Sequence, residues 1–444
     1  METIDLLRSG QLAGTQRLDL AAGLTRFPLE ILDLADSLEI LNLSNNQLKS
    51  LPDEFGKLKK LKIVFLSNNR FEQVPEVLSQ CPNLYMVGFK SNQITTISAQ
   101  ALPPSVRWLI LTDNRIEQLP TSIGQLSKLQ KLMLAGNKLR SLPEEMAACR
   151  NLELIRLSAN QLTQIPSWLL NLPRLSWLAY AGNPFCDSSI DASLALKRSL
   201  SSIDWADLTL GNVLGEGASG VIYRGKWAAN SNQANSAQTV EVAIKIFKGE
   251  ITSDGLPADE MRACIAAGTH HHLAGVLGKV INHPENSEGL VFSFIPPHYK
   301  NLGNPPDFDT CTRDTYPPGT SLPLPVILRI AKGIAAAALH LHSRGIMHGD
   351  LYAHNILVNQ AGESLLGDFG AASFYKPHDR VMGQALERLE VRAFGCLLED
   401  LLEHCDRDAP VHAPTINNLR RLQQDCMNQN PSMRPLFREI HDAL

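Results

Sequence analysis

The chain has 444 residues, too many for one ordinary domain, so two or three are expected. Apolar residues make up 44% of it, and the net charge of −4 is spread as mixed signs, which excludes an electrostatic case for nucleic acid or an acidic membrane surface. The eight cysteines are scattered with no CxxC pair, as in a reduced, intracellular chain.

The N-terminus, METIDLLRSGQLAG, lacks a basic segment followed by an apolar run, so no secretory signal is read there. From there the pattern LxxLxLxxNxL recurs, with Asn46, Asn69, Asn92, Asn114, Asn137, Asn160 and Asn183 at its polar position, 22 or 23 residues apart. Most units close with an apolar residue and a proline, as at Leu51-Pro52, Val74-Pro75 and Ile165-Pro166. A degenerate copy from Leu18 lacks the asparagine, as an end cap would. Each unit offers a short strand whose leucines cannot be buried alone, so neighbours must stack, and each asparagine can bond backbone groups left unpaired between coils. This pattern resembles the leucine-rich-repeat family over roughly residues 15–185, within an expected domain of residues 1–185 with about eight repeats. The resemblance implies an α/β solenoid with a curved parallel sheet that binds protein.

Alternation along each strand puts Leu41 and Leu43 inward and Ile40, Asn42 and Ser44 on the concave face. The same positions in later repeats hold Phe65, Trp108, Ile110, Met133 and Trp177, an apolar stripe expected to receive a protein partner. The plainer alternative is that these residues tuck against their neighbours along the sheet. Residues 186–206 lose the repeat, and the spacing of Ile190, Leu194, Leu196 and Leu200 predicts a capping and linking helix.

From residue 207 the pattern changes. Gly215, Gly217 and Gly220 form GxGxxG, ahead of the β-branched and aromatic Val221-Ile222-Tyr223. That context favours a strand–turn–strand flap over a dinucleotide-binding turn, with glycine needed where backbone lies close over phosphates. Lys245 ends the apolar strand Val242-Ala243-Ile244, a misfit that demands a partner, and Glu260 in the helical stretch ADEMRACIAA is the candidate, with Asp259 beside it. His348-Gly349-Asp350-Leu351-Tyr352-Ala353-His354-Asn355 follows, then Asp368-Phe369-Gly370.

In this order and at these spacings the five elements resemble the protein kinase signature set, and IDWADLTLGNVLGEG and VIYRGKW resemble the tyrosine-kinase-like group. The resemblance covers residues 207–444 and implies a two-lobed α+β fold using ATP and Mg²⁺. It implies that Asp350 accepts the proton of the attacking hydroxyl and that Asn355 and Asp368 hold Mg²⁺. It places Leu214, Gly215, Gly217, Gly220, Val221, Ala243, Lys245, Phe292, Ser293 and Ile295 against the nucleotide, Phe292 as gatekeeper and Ser293-Phe294-Ile295 as hinge. Arg434 resembles the late arginine that pairs with the glutamate closing the activation segment.

Three departures stand out. Gly349 replaces the usual arginine, and the activation segment offers only Ser373 and Tyr375 as acceptors, so activity is expected not to depend on phosphorylation there. Tyr352 replaces the lysine of serine/threonine kinases, and only family expectation favours that acceptor class. Glu387, which best matches the closing glutamate, is separated by only two residues from Glu390, where an aspartate usually anchors the catalytic loop, so the peptide-binding region is shortened.

Residues 228–238 and 296–325, the latter with eight prolines, read as surface loops, the second also as a substrate lip. His270-His271-His272 invites a metal reading, but three consecutive side chains do not readily face one ion. The apolar run Ile330–Leu341 holds Lys332 and His340 and is too short to span a bilayer. The resulting expectation is a cytoplasmic, ATP-dependent protein kinase whose repeats recruit substrate, regulator or a second copy. Delivery into another cell is a variant of that location. Two other functions stay open: a nucleotide-binding scaffold without transfer, and a kinase-fold enzyme acting on a small molecule.

Overall fold

The repeats fold as three-residue strands separated by short helices. In a computed structural model, which describes residues 3–186, 200–229, 238–376, 379–406 and 413–444, the chain divides into two units. One comprises residues 1–175 with 183–185, the other residues 176–182 with 186–444.

Helix α1 (Thr3–Arg8) precedes a parallel sheet whose eight strands follow sequence order. These are β1 (Arg17–Asp19), β2 (Ile40–Asn42), β3 (Ile63–Phe65), β4 (Met86–Gly88), β5 (Trp108–Ile110), β6 (Lys131–Met133), β7 (Leu154–Arg156) and β8 (Trp177–Ala179). Register is one to one, so Ile40, Ile63, Met86, Trp108, Lys131 and Leu154 share a row. The central residues Leu41, Val64, Val87, Leu109, Leu132 and Ile155 are fully buried. Pro52, Pro75, Pro120 and Pro143 each precede a 3-10 helix and Pro166 precedes α2 (Ser167–Leu170), because a fixed φ and a missing N–H suit a helix start.

The asparagines do what their spacing suggested. Asn92 Nδ2 donates to the carbonyls of Leu66 (3.0 Å) and Phe89 (3.2 Å), and its Oδ1 accepts from Phe71 N–H (3.0 Å). Asn69, Asn114, Asn137 and Asn160 repeat this arrangement. Each takes two coils' orphan groups at once, which calls for a side chain with both a donor and an acceptor. A regularity that sequence reading passed over accompanies it. The residue just before each ladder asparagine (Asn45, Asn68, Ser91, Asp113, Gly136, Ala159, Gly182) has positive φ.

In the second unit a six-stranded sheet runs in the order β10-β11-β12-β14-β13-β9. Its strands are β9 (Ser201–Asp204), β10 (Leu208–Glu216), β11 (Gly220–Ala229), β12 (Gln238–Phe247), β13 (Val276–Ile281) and β14 (Gly289–Ser293). Ile203, Val242, Ile244, Val280 and Val291 form its core, with Trp205 and Trp227 packed at the edge. Residues 201–204 of the expected linker are thus an edge strand, parallel to β13. The helix expected over Ile190–Leu196 lies outside the described residues, as does most of the 228–238 loop.

Helix α3 (Pro257–Ala267) follows the sheet, and α4 (Leu324–Ser343) buries Ile327, Ile330, Ile334 and Leu341 in the helical part. Among the described residues α4 is long and apolar enough to cross a membrane by length and composition, so the expected shortness does not hold. Over half of its most apolar window is packed inside the fold, which accounts for the composition as that of a core helix. Small pairings follow: β15 (Lys300–Asn301) with β17 (Ile356–Val358) and β18 (Ser364–Leu366), and β16 (Ile346–Met347) with β19 (Ser373–Phe374). Helices α5 (Arg380–Glu403), α6 (Ala413–Cys426) and α7 (Phe437–Ala443) complete the unit.

Candidate active site

The glycine flap is the turn between β10 and β11, closed by Gly217 N–H donating to the Gly220 carbonyl at 2.9 Å. The three glycines are not equivalent. A Cβ on Gly220 would strike the Ile246 carbonyl at 2.5 Å, so the sheet itself demands glycine there. A Cβ on Gly215 or Gly217 meets nothing within 4 Å, so their smallness suits a molecule lying against the flap.

On the neighbouring strand Lys245 Nζ pairs with Glu260 Oε1 of α3, with side chains 12% and 3% exposed. Burial lifts the Glu260 carboxyl above its ordinary value; Lys245 opposes this and Asp368 reinforces it. Anionic phosphate oxygens could share that lysine, because Glu260 fixes it without taking all three of its donors. Pairing of β12 with β14 sets Ala243 opposite Phe292 and Val242 opposite Ser293. Leu214 and the neighbouring Val213 are exposed apolar side chains on β10, and Val221 and Ile295 are half-buried.

The catalytic loop hangs from a single buried acid. Glu390 Oε1 accepts from Gly349 N–H (2.6 Å), and Oε2 accepts from His348 N–H (3.1 Å) and His342 Nε2–H (2.8 Å). Burial alone would raise the Glu390 carboxyl, but these donors hold it below its ordinary value. His348 Nε2–H donates to the Gly367 carbonyl (2.8 Å), tying the loop to the segment that carries Asp368. Asn355 Nδ2 donates to Asp350 Oδ2 (2.8 Å) and to its carbonyl (3.0 Å), leaving Asn355 Oδ1 as an oxygen donor. Asp368 sits at φ 53° with Oδ1 accepting from Gly370 N–H (3.1 Å), and Phe369 packs against His348 at 5.1 Å.

The expected residues therefore come together as two linked groups: Lys245–Glu260, and Asp350–Asn355 with His348 reaching toward Asp368. Among the described residues no cluster of three His, Cys, Asp or Glu could cage a metal by itself. Asn355 and Asp368 still fit Mg²⁺, which takes one or two protein oxygens and completes its shell with phosphate and water. At His270–His272 the rings have other partners: His272 Nδ1 meets the Ser364 carbonyl at 3.0 Å, and burial lowers His270 to about 4.

The acceptor side differs from expectation. Glu387 and Glu390 lie on one helix, α5, capped by Asp379 at its start, so the short connection arises because the segment runs straight into that helix. Glu387 accepts from Phe437 N–H (2.8 Å); Arg434, buried, donates to the carbonyls of Asn428 (2.9 Å) and Arg388 (3.1 Å). Residues 296–325 are not a loose excursion. Arg313 pairs with Glu399 and Asp400, and Asp314 takes His354 Nδ1 at 2.6 Å, within electrostatic reach of Asp350. Asp314 lifts the His354 pKa above its ordinary value against the opposing pull of burial.

The apolar stripe changes too. Phe65, Trp108 and Ile110 are half-buried, but Met133 (7% exposed), between Ile110 and Arg156 in the register, and Trp177 (1%) offer no surface. Trp177 lies flat on Tyr352, ring centroids 4.3 Å apart and planes within 7°. Sequence reading missed Trp177, Tyr180, His342 and Asp314 as supports of the loop. Only Gly349, a glycine where an arginine was expected, signalled that something approaches closely.

A family profile for protein tyrosine and serine/threonine kinases matches residues 208–394, and one for leucine rich repeats matches 36–94, 104–162 and 127–185. The chain is 24% identical over 285 residues to fibroblast growth factor receptor 1 of Xenopus laevis and to that of Pleurodeles waltl, covering 53% of this chain and 34% of each relative. It is 27% identical over 280 residues to tyrosine-protein kinase abl-1 of Caenorhabditis elegans, covering 54% of this chain and 21% of the relative. It thus spans about a third or less of the curated relatives it matches.

Proposed function

For a chain that carries leucine-rich repeats and a protein tyrosine and serine/threonine kinase domain, we propose transfer of the γ-phosphoryl group of ATP to a protein hydroxyl, assisted by Mg²⁺. The observation that carries this reading is the assembled Lys245–Glu260 pair, within electrostatic reach of Asp368, together with an Asp350 held by Asn355. Lys245 steadies the α- and β-phosphates, and the flap at Gly215–Gly217 lies over them with backbone N–H groups. Asp350 orients the acceptor hydroxyl and takes its proton as the new O–P bond forms and the bond to the β,γ-bridging oxygen breaks, releasing ADP. Magnesium at Asn355 and Asp368, when bound, neutralises charge developing on the phosphates. Glu390 keeps Asp350's loop in place through two backbone amides, so positioning rather than covalent chemistry is the chain's contribution.

The finer parts of the proposal are a serine or threonine acceptor, a cytoplasmic location, and recruitment of a protein partner through Phe65, Trp108 and Ile110. One observation favours the scaffold reading instead: Tyr352, on the acceptor side of the loop, is only 5% exposed beneath Trp177. The decisive experiment incubates the purified chain with Mg²⁺ and ATP labelled at the γ-phosphate, beside Asp350→Asn. Label on protein with the parent, reduced at least about 10²-fold in the variant, supports the kinase. Nucleotide binding with no transfer supports the scaffold, and label passing only to small acceptors supports a small-molecule phosphotransferase. Phosphoamino-acid analysis of labelled protein decides the acceptor class.

A further inference from the structure

Residues 176–182 belong to the second unit, and side-chain hydrogen bonds tie them to the catalytic loop, to the segment after Phe369 and to α5. The Trp177 indole N–H donates to the Leu351 carbonyl (3.1 Å), one residue from Asp350, while its ring covers Tyr352. Tyr180 N–H donates to Ser373 Oγ (2.9 Å), and its hydroxyl donates to the Phe374 carbonyl (3.2 Å). Arg392 of α5 donates to Ser176 Oγ at 2.7 Å. Gly349 completes the fit: at φ 74°, a Cβ there would lie 2.6 Å from both the Leu178 and Ala371 carbonyls. Any side chain, an arginine included, would push residues 176–182 away.

Ser373 is fully buried and Tyr375 only 9% exposed, its hydroxyl donating to the His342 carbonyl at 3.1 Å. Neither hydroxyl can accept a phosphate without the segment coming apart. We propose that residues 176–182 are a built-in strut, with Trp177 and Tyr180 as positioning residues that hold the catalytic loop and the segment 369–375 in one arrangement without any modification. The consequence for transfer rests on the kinase reading; the ordering itself does not.

The test uses the full chain and Trp177→Ala, Trp177→Phe, Tyr180→Phe and Gly349→Ala, each measured two ways. Amide hydrogen exchange across residues 348–376 is expected to quicken about tenfold in Trp177→Ala and Gly349→Ala, and severalfold in Tyr180→Phe. Trp177→Phe, which keeps the stack and loses the N–H, is expected to recover part of the protection. Transfer from Mg-ATP is expected to lose about tenfold in kcat with KM for ATP within about twofold and one nucleotide still bound per chain, a pattern a reduced folded fraction would not give. Exchange within about twofold of the parent in all variants overturns the strut. If Trp177→Ala fails to fold, Tyr180→Phe and Trp177→Phe decide. If the parent itself transfers no phosphate, the kinase reading falls, and amide exchange alone judges the strut.

Discussion

The two sides of the candidate site are built on opposite plans. On the nucleotide side the flap strand β10 is almost wholly exposed, and Gly215 and Gly217 touch no protein atom that would object to a Cβ. On the acceptor side, Glu390, His348, Tyr352, Ser373 and Trp177 are all buried, with Glu390 accepting from the His348 N–H, Trp177 donating to the Leu351 carbonyl and Ser373 Oγ accepting from the Tyr180 N–H. In the proposed kinase an exposed flap lets nucleotide enter and leave and a buried loop keeps Asp350 in place, so that proposal divides the chemistry between a part that moves and a part that does not.

That contrast can be broken most severely by removing the strut outright. A chain trimmed to the expected kinase boundary, 207–444, loses residues 176–182 and the edge strand β9, baring Tyr352, Tyr180's partners and the sheet edge. It is expected to melt at least about 10 °C below the full chain or to aggregate, as a thermal unfolding scan would show. Unchanged melting would mean that the acceptor side stands by itself. Next in size, Glu390→Gln leaves two buried amides facing a side chain that can accept only at one oxygen. A loss of about 3 kcal/mol in denaturant unfolding is expected, with transfer falling alongside.

The same residue sets an acid limit. Because the folded-state pKa of Glu390 lies below its ordinary 4.5, its contribution is full above that value and is lost as pH falls through the folded one. The difference in stability between parent and Glu390→Gln should therefore shrink below about pH 4.5 and stay constant at neutral pH. A smaller effect is expected of Ser373→Ala, which removes one hydrogen bond to Tyr180 N–H and should cost about 1 kcal/mol. Peptide mapping after incubation with Mg-ATP should find no phosphate at Ser373 or Tyr375. Smallest for the fold, Gly217→Ala should leave stability within about 0.5 kcal/mol, yet raise KM for ATP severalfold. A matching loss of stability would mean that the flap glycine serves packing instead.

Legibility in the sequence followed the range of the interactions. The repeat asparagines could be read because each acts one coil away, and the coil length recurs along the chain. Lys245, Glu260, Asp350, Asn355 and Asp368 could be singled out because their order along the chain resembles the kinase signature set, and the structure pairs Lys245 with Glu260 and Asn355 with Asp350. Trp177 could not. Its alternation placed it correctly on a strand face, but the group that covers it, Tyr352, lies 175 positions further along the sequence, and nothing local records that meeting. Asp314 was hidden in the same way inside a proline-rich stretch that reads as loop by composition, although it binds His354. Gly349 was visible as an anomaly, and only the carbonyls of Leu178 and Ala371 give it a reason.

That reason bears on how such a chain can change through descent. Units of 22 or 23 residues recur through the earlier repeats, and one can be duplicated or lost there with the Trp177 bond to the Leu351 carbonyl kept. The final strand, Trp177–Ala179, cannot be exchanged for a copy of its neighbours, since neither Lys131 nor Leu154 at the same position carries an indole N–H to meet the Leu351 carbonyl. Repeat number is therefore open to drift while the identity of the last repeat is inherited together with the loop it touches, and a substitution at Trp177 calls for a matching one at Tyr352, as a side chain at Gly349 calls for room at the Leu178 carbonyl.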